Sequence, residues 1–171
     1  MNTTRHTVAN TRLGAITLVA DGGAVTGLYF RHHVRRPAQD TFGPAVEPAE
    51  DPLLAEAAEQ LHDYLDRRRT GFDLPMRTAG DEFQEKVWAE LRTIPYGATT
   101  TYGSIAERLG DRSLAQRVGQ AVGANPLCIL VPCHRVVGAD GSLTGYAGGL
   151  RRKQELLAVE EPAEVTASRL F

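Results

Sequence analysis

The chain has 171 residues, of which 42% are hydrophobic and 23% are charged. This composition is typical of a globular protein and excludes a disordered or collagen-like chain. The formal net charge of -2 gives no indication of a polyanionic partner. No apolar run approaches the roughly 20 residues that cross a bilayer, and the first residues lack the apolar stretch of a signal peptide. We therefore expect a cytoplasmic protein without a membrane partner.

The first 75 residues predict a small sheet covered by a helix. Residues 13–20 and 25–30 are rich in β-branched and apolar side chains and flank Asp21-Gly22-Gly23, a sequence that favours a hairpin turn. Residues 35–52 contain four prolines and little periodicity, as expected of a loop. From residue 53 to 65 the apolar side chains recur at helical spacing. No residue type or spacing in this half indicates recognisable chemistry.

Beyond residue 75 the pattern becomes mostly helical. One helix is predicted over residues 81–92 and ends before Pro95, and a short one over 102–109 begins at Thr101, a favourable N-cap. A third helix is predicted over 114–123, with Ser113 as its cap. Two short helices joined by about four residues are the outline of a helix-turn-helix. The same outline also fits helical hairpins that never touch nucleic acid.

Charge is distributed unevenly along the chain. Residues 108–153 carry seven cations and two anions, a local charge of +5, so the remainder carries -7. A basic block around a helix-turn-helix is typical of an electrostatic footprint for nucleic acid on one face. Chance clustering of surface arginines is the alternative. The cations of the block are Arg108, Arg112, Arg117, Arg135, Arg151, Arg152 and Lys153.

The two cysteines, Cys128 and Cys133, lie five positions apart, so a disulfide between them would need a sharp turn. Their spacing does not fit a zinc site. Residues 127–131 predict a short buried strand that contains Cys128, and Cys133 falls where this strand ends. Thiolate is the nucleophilic form of sulfur, and His134 could serve as its base if a turn or a water bridges the two side chains and a carboxylate orients the ring. The alternative is a structural cysteine followed by a surface histidine.

A loop with five glycines, residues 138–150, fits neither a phosphate-binding P-loop nor a dinucleotide-binding motif. It could close over a bound group. The last predicted helix, residues 150–160, begins with Arg151-Arg152-Lys153, whose charges oppose the helix dipole. An anionic partner would relieve that cost.

These motifs together match a known family. Residues 83–160 closely resemble the C-terminal domain of the O6-alkylguanine-DNA alkyltransferases, also called methylated-DNA–protein-cysteine methyltransferases. The resemblance rests on five ordered segments: the run from Ile94 to Ala106, Asn125-Pro126, PCHRV at 132–136, GYAGG at 145–149, and LL-x-x-E at 156–160. The N-terminal half resembles the family only in its hairpin and helix.

The resemblance implies an α+β (α/β) fold in two domains with a short tail. Residues 1–75 would form a β-sheet-plus-helix domain, and residues 76–160 a mostly helical domain with a winged-helix-like helix-turn-helix. Residues 161–171 would form a flexible tail.

The resemblance also implies a repair reaction that each molecule performs once. The protein would bind double-stranded DNA that contains O6-alkylguanine, and also O4-alkylthymine, flip the base out, and transfer its alkyl group to Cys133. His134 would act as a water-mediated base oriented by Glu160. Asn125 would brace the turn beside the nucleophile, and Tyr102 would donate a proton toward the leaving guanine.

Further residues are implied in binding. The pocket would comprise Tyr102, Val136, Tyr146 and Ala147. No cofactor or metal is expected, because the N-terminal half lacks cysteines and His32 and His33 are predicted to be surface residues. A monomer is expected, with cooperative binding on DNA left open. The implied DNA contacts are Ser113, Ala115, Gln116, Arg117, Gly119 and Arg135.

One departure from the family concerns the recognition helix. Gln116 stands where relatives usually carry the arginine that replaces the flipped base, and Arg117 follows one place later. A shift of one residue rotates a helical side chain by about 100°. Whether Gln116 or Arg117 fills the gap stays open at this point. Two other functions also stay open: a lesion-binding protein that performs no transfer, and a cysteine hydrolase.

Overall fold

The computed structural model describes residues 3–162. Its N-terminal part is an antiparallel sheet of three strands in the order β1 (Thr4–Thr11), β2 (Gly14–Asp21) and β3 (Ala24–Phe30). The predicted hairpin is confirmed as β2 and β3. Strand β1 was not predicted, because most of its residues are polar and do not alternate with apolar ones in the sequence. Its place in the sheet depends on pairing with β2.

Helix α1 (Pro52–Leu65) covers the sheet, as predicted. Asp51 caps it by accepting a hydrogen bond from the backbone N–H of Leu54 at 3.1 Å. The same carboxylate binds Arg5 of β1 at 2.6 Å, so the cap also fastens the helix to the sheet. The preceding loop is irregular apart from two short 3-10 turns, Gln39–Phe42 and Pro48–Glu50.

Between residues 76 and 162 the chain forms the α-helices α2 (Glu82–Arg92), α3 (Tyr102–Arg108), α4 (Ala115–Gly123) and α5 (Leu150–Val159). Asp81 and Gln84 form a capping box at the start of α2, and Thr101 caps α3 as predicted. Helices α3 and α4, the predicted helix-turn-helix, pack against each other. A bond of 2.8 Å from Trp88 Nε1 to the carbonyl of Ala121 joins α2 to α4.

The predicted cap at Ser113 is wrong. A 3-10 turn, Arg112–Leu114, precedes α4, and Asp111 caps that turn by accepting a hydrogen bond from the Ser113 N–H at 2.9 Å. Helix α4 begins at Ala115, directly after this 3-10 turn, and has no side-chain cap. Aspartate and serine are equally favourable N-cap residues, and the cap here is Asp111, two residues before Ser113.

The predicted strand over residues 127–131 is also corrected, because the chain turns back on itself there. Leu127 forms a single bridge to Leu28 of β3, and Cys128 bridges to Val131 across a turn in which Ile129 has φ of 72°. The Val131 N–H donates to the Leu127 carbonyl at 2.8 Å. The apolar run is therefore a buried turn, which brings the two cysteines toward each other.

Two further strands, β4 (Thr100–Thr101) and β5 (Val136–Val137), form a short parallel pair beside the cysteine turn. One hydrophobic core runs through both halves of the chain. The domain boundary near residue 75 stays a prediction, and the predicted tail lies outside the described residues except for Glu161 and Pro162. Among the described residues, no helix is long and apolar enough to cross a membrane.

Candidate active site

Cys133 is a buried thiol at the start of a tight turn. It opens a 3-10 turn, Cys133–Arg135, directly after Pro132, and only 3% of it is exposed. Its Sγ lies 3.8 Å from Sγ of Cys128, and both cysteines are free. The hydrogen bond with Cys128 lowers the pKa of Cys133, against the opposing effect of burial. The site therefore favours the nucleophilic thiolate.

His134 is fully buried and paired with Glu160, the residue that follows α5. Its Nε2 lies 2.8 Å from Oε2 of Glu160. Burial lowers the pKa of His134 although Glu160 opposes this shift, so the ring is neutral at pH 7. A neutral ring that donates from Nε2 has its acceptor at Nδ1, and this buried atom has no hydrogen-bond partner among the described residues. His134 can thus accept a proton at Nδ1.

Glu160 is an ionised carboxylate held from several sides. Both of its oxygens accept hydrogen bonds of 2.8 Å from the Arg135 guanidinium, and the Gly97 N–H donates to Oε1 at 3.2 Å. Burial raises the pKa of Glu160, but the hydrogen bonds from His134 and Arg135 outweigh it and lower the pKa to about 2. The carboxylate is therefore fixed and charged beside the imidazole.

Arg135 does not lie where the DNA-contact prediction requires. Its guanidinium is buried, binds both oxygens of Glu160, and donates to the Ile94 carbonyl at 2.6 Å. These interactions leave no charge to present to a phosphate. The assignment of Arg135 to DNA contact is thus corrected: the residue orients Glu160.

Tyr64 is a member of this network that the sequence did not reveal. Its hydroxyl donates a short hydrogen bond to Glu160 Oε2 and lies 3.3 Å from Nε2 of His134. Burial and the charge of Glu160 raise the pKa of Tyr64, so the phenol stays protonated. In the sequence, Tyr64 only continues the apolar face of α1, and no pattern separates it from an ordinary core residue.

Asn125 braces the turn that carries the cysteines, as expected from the resemblance. Its Nδ2 donates to the Val131 carbonyl at 2.9 Å, and its Oδ1 accepts from the Leu127 N–H at 2.9 Å. The side chain is 2% exposed. The bond to Val131 crosses the turn and the bond from Leu127 fixes its first residues, so Asn125 holds the segment between Cys128 and Cys133 in place.

Comparisons with known proteins agree with this geometry. A sequence model of the family described as "6-O-methylguanine DNA methyltransferase, DNA binding domain" matches residues 82–162. The methylated-DNA–protein-cysteine methyltransferase of Mycobacterium tuberculosis is 41% identical over 158 residues, which cover 90% of this chain and 92% of that protein. This chain belongs to the methylated-DNA–protein-cysteine methyltransferase family. An inducible member from Bacillus subtilis is 40% identical over 144 residues and 80% of both chains.

Solved structures support the same assignment. The crystal structure of M. tuberculosis OGT in complex with DNA matches this methyltransferase with a TM-score of 0.82 and 38% identity, over 95% of this chain and 98% of that one. The fold is therefore the mixed α/β fold of the family. Among residues 3–162, no cluster of three or more His, Cys, Asp or Glu side chains could hold a metal ion.

The methyltransferase places Tyr102 at the start of α3, facing α4. Its hydroxyl lies 2.7 Å from the hydroxyl of Thr144 in the glycine-rich loop. Burial raises the pKa of Tyr102 and the bond to Thr144 partly offsets this, so the phenol is protonated at neutral pH. A Cβ at Gly119 would lie 3.7 Å from the Tyr102 ring, an ordinary van der Waals contact, so this part of α4 packs against the ring.

The other predicted pocket residues are buried on two elements. Val136 lies in β5, while Tyr146 and Ala147 lie in the glycine-rich loop and are 9% and 8% exposed. The Ala147 carbonyl accepts a hydrogen bond from the Val34 N–H at 2.8 Å, which ties this loop to the N-terminal half. Their roles in binding the base stay predictions.

The remaining predicted DNA contacts lie on or before α4. Ser113, Gln116 and Arg117 are exposed, and Ala115 and Gly119 are partly buried. The Arg117 guanidinium lies over the ring of Phe83 in α2, 4.1 Å from its centre. This stacking directs Arg117 toward α2, while Gln116 extends freely from the helix.

The basic block is less exposed than its charge count implies. Besides Arg135, Lys153 is fully buried and donates to the Thr144 carbonyl at 3.1 Å. Arg152 donates to the Leu13 and Gly148 carbonyls at 2.9 and 3.0 Å. Backbone carbonyls thus satisfy two of the cations at the start of α5, so these two need no anionic partner. Fewer cations of the basic block are therefore available to contact nucleic acid than the charge count predicts.

His33, predicted to be a surface residue, is only partly exposed. Its Nδ1 accepts a hydrogen bond from the Phe30 N–H at 3.2 Å, and the ring stacks on Phe30. Burial lowers the pKa of His33 to about 4, with Arg36 and Arg152 adding to the shift. His32 is exposed, as predicted.

Proposed function

We propose that this protein repairs O6-alkylguanine, and also O4-alkylthymine, in double-stranded DNA by transferring the alkyl group to Cys133. The observation that carries the proposal is the buried set of Cys133, His134 and Glu160 in a chain of the methyltransferase family. It gives the cysteine a neighbouring base and gives that base a fixed carboxylate.

The side chains of the site support the following steps. His134 accepts the thiol proton at Nδ1 through a water molecule. Sγ of Cys133 then attacks the alkyl carbon, a C–S bond forms, and the bond from that carbon to guanine O6 breaks. Tyr102 donates its proton to the leaving base, which offsets the developing negative charge. The thioether is stable and no cofactor takes part, so each molecule acts once.

The mass of the peptide that carries Cys133 tests this proposal. After incubation with a duplex that contains O6-methylguanine, this peptide should gain one methyl group, and the yield should stop at one per protein. Cys133→Ala and an unmodified duplex are the controls. DNA binding without transfer would instead identify a lesion-binding protein, and repeated turnover would identify a hydrolase.

Tyr102→Phe should slow methyl transfer by roughly tenfold to a hundredfold, because the leaving base loses its proton donor. DNA affinity should stay unchanged, since the ring remains. Single-turnover rates and binding to the same duplex measure the two effects. Tyr29→Phe, on the sheet, is a matched control that should change neither. A loss of affinity in Tyr102→Phe would show that the hydroxyl positions DNA instead.

We propose that Gln116 takes the place of the flipped base and that Arg117 binds a phosphate from its position beside Phe83. Arg117→Ala should then weaken binding to all duplexes and reduce the slope of log affinity against log salt by about one. Gln116→Ala should leave that slope unchanged and slow transfer. Arg68→Ala, in the segment that follows α1, is the control. A salt slope unaltered in Arg117→Ala would remove Arg117 from the interface.

We also propose that the protein acts as a monomer in the cytoplasm, where DNA is its partner. The number of molecules bound to duplexes of increasing length would test whether binding is cooperative.

A further inference from the structure

The proposed mechanism makes no use of the second cysteine. Cys128 is 1% exposed and lies in the turn that ends at Val131. Packing alone would be satisfied by any apolar side chain of similar size at this position. The turn instead places a thiol 3.8 Å from Sγ of Cys133, within hydrogen-bond distance for two sulfur atoms.

The thiol of Cys128 has two acceptors within reach. Its Sγ lies 3.8 Å from the Asn125 carbonyl and 3.8 Å from Sγ of Cys133. While Cys133 is protonated, its own S–H can donate to Cys128, and Cys128 can donate to the carbonyl. Once Cys133 is ionised it can only accept, so the proton of Cys128 turns toward it.

We propose that Cys128 is a further catalytic residue, whose S–H donates to the Cys133 thiolate and stabilises it before the alkyl group is attacked. The proposal rests on Cys133 being the nucleophile of the proposed function. No bond to Cys128 forms or breaks. Its proton stays on its own sulfur, and the sulfur of Cys133 remains the only atom that receives the alkyl group.

The electrostatics of the pair agree with these roles. The bond to Cys133 and burial raise the pKa of Cys128, so Cys128 keeps its proton and stays a donor. The same bond is the largest influence that lowers the pKa of Cys133. A charge-assisted hydrogen bond is stronger than a neutral one, so the thiolate gains more from this contact than the thiol does.

Other ionisable groups act on Cys133 and have to be held constant. Lys153 of α5 stabilises the thiolate by its charge. Tyr102 of α3 and Tyr146 of the glycine-rich loop also interact electrostatically with it, and His134 is its neighbour in the chain. Substitution of Cys128 leaves all four side chains present, but Tyr146 also interacts with Cys128. Cys128→Ser is therefore compared with Cys128→Ala, because serine keeps a polar partner for Tyr146.

The test is the rate at which Cys133 reacts with iodoacetamide between pH 5 and 10, measured by mass spectrometry on wild type, Cys128→Ala and Cys128→Ser. If the pKa of Cys133 rises by one unit in Cys128→Ala, its thiolate becomes about tenfold rarer at low pH but roughly threefold more nucleophilic. We therefore expect the variant to react about threefold to fourfold more slowly at low pH and about threefold faster at high pH. Cys128→Ser keeps a donor and should move toward wild type.

This crossing of the two profiles separates the proposal from a packing role. Leu127→Ala removes a fully buried side chain from the same turn and should lower stability without shifting the profile. Equal profiles for wild type and Cys128→Ala, or slowing at every pH, would overturn the proposal.

Methyl transfer from a duplex that contains O6-methylguanine is measured in parallel, at the same pH values. If wild type transfers no methyl group, the proposed function fails whatever the iodoacetamide profiles show. If wild type transfers and Cys128→Ala shows the same pH dependence of transfer, only the role of Cys128 fails. Support requires that transfer by Cys128→Ala be slowed several-fold at low pH and recover as the pH rises.

Discussion

Glu160→Ala should lower the free energy of unfolding by about 3–5 kcal/mol, because it leaves a buried guanidinium without its counter-charge. Arg135 is 8% exposed and donates to both oxygens of Glu160 at 2.8 Å. Its only other side-chain hydrogen bond among the described residues is to the Ile94 carbonyl, and its guanidinium also lies 5.7 Å from the centre of the Tyr96 ring. Urea unfolding at pH 7 measures the loss.

Two variants control for this result. Glu155→Ala removes the same type of side chain from α5, the helix that Glu160 follows, but its ion pair with Arg151 is exposed and should contribute less than about 1 kcal/mol. Adding Arg135→Met to Glu160→Ala should recover part of the lost stability, because the unpaired charge is then gone. A loss in Glu160→Ala no larger than in Glu155→Ala would mean that solvent reaches Arg135.

The variant Glu160→Gln distinguishes the role of Glu160 in repair from its role in stability. Glutamine keeps an oxygen that can accept from His134, but it carries no charge to stabilise a protonated imidazole. Under the proposed mechanism, transfer should therefore slow strongly in a protein that still folds. Single-turnover transfer below the unfolding temperature of the variant measures this. A rate equal to wild type would show that Glu160 only orients the ring.

The elements that were predicted correctly depend on neighbouring residues. The Asp81–Gln84 capping box fixes the start of α2, and the Thr101 cap fixes the start of α3. In each case the two capping partners are three residues apart in the sequence. The apolar spacing of α1 likewise needs no distant contact. The roles implied for His134 and Glu160 came from a resemblance, and the structure does place the two side chains in contact.

What the sequence could not show depends on contacts between distant segments. Tyr64 reaches Glu160 across 96 positions, and Arg135 reaches it across 25. A charge count treats Arg135 and Lys153 as surface cations, but each is buried beside acceptors supplied by other elements. The turn at Cys128 was predicted as a strand, because a short run of apolar residues shows no periodicity that distinguishes a buried strand from a buried turn.

Stability should fall in two steps as the pH is lowered, and His134 contributes to the first together with His33, whose pKa is about 4 in the folded protein. Burial lowers the pKa of His134 in the folded protein, whereas the unfolded value is about 6.5. Between these two values the unfolded chain binds more protons, so unfolding becomes easier as the pH falls below about 6.5. His134→Gln should make this first step smaller, and the part that remains belongs to His33.

Glu160 accounts for the second step. Its pKa is about 2 in the folded protein against 4.5 for the free side chain. The carboxylate thus contributes about 3 kcal/mol near neutral pH, and this contribution is lost as the pH falls from about 5 to 2. Urea unfolding at pH 7, 5.5, 4 and 3 measures the free energy of unfolding. Glu160→Gln should be less stable at pH 7 and show a flatter profile below pH 5. A wild-type value that stays constant from pH 7 to 3 would mean that neither group is buried as described, and the fixed carboxylate that the proposed base requires would then be lacking.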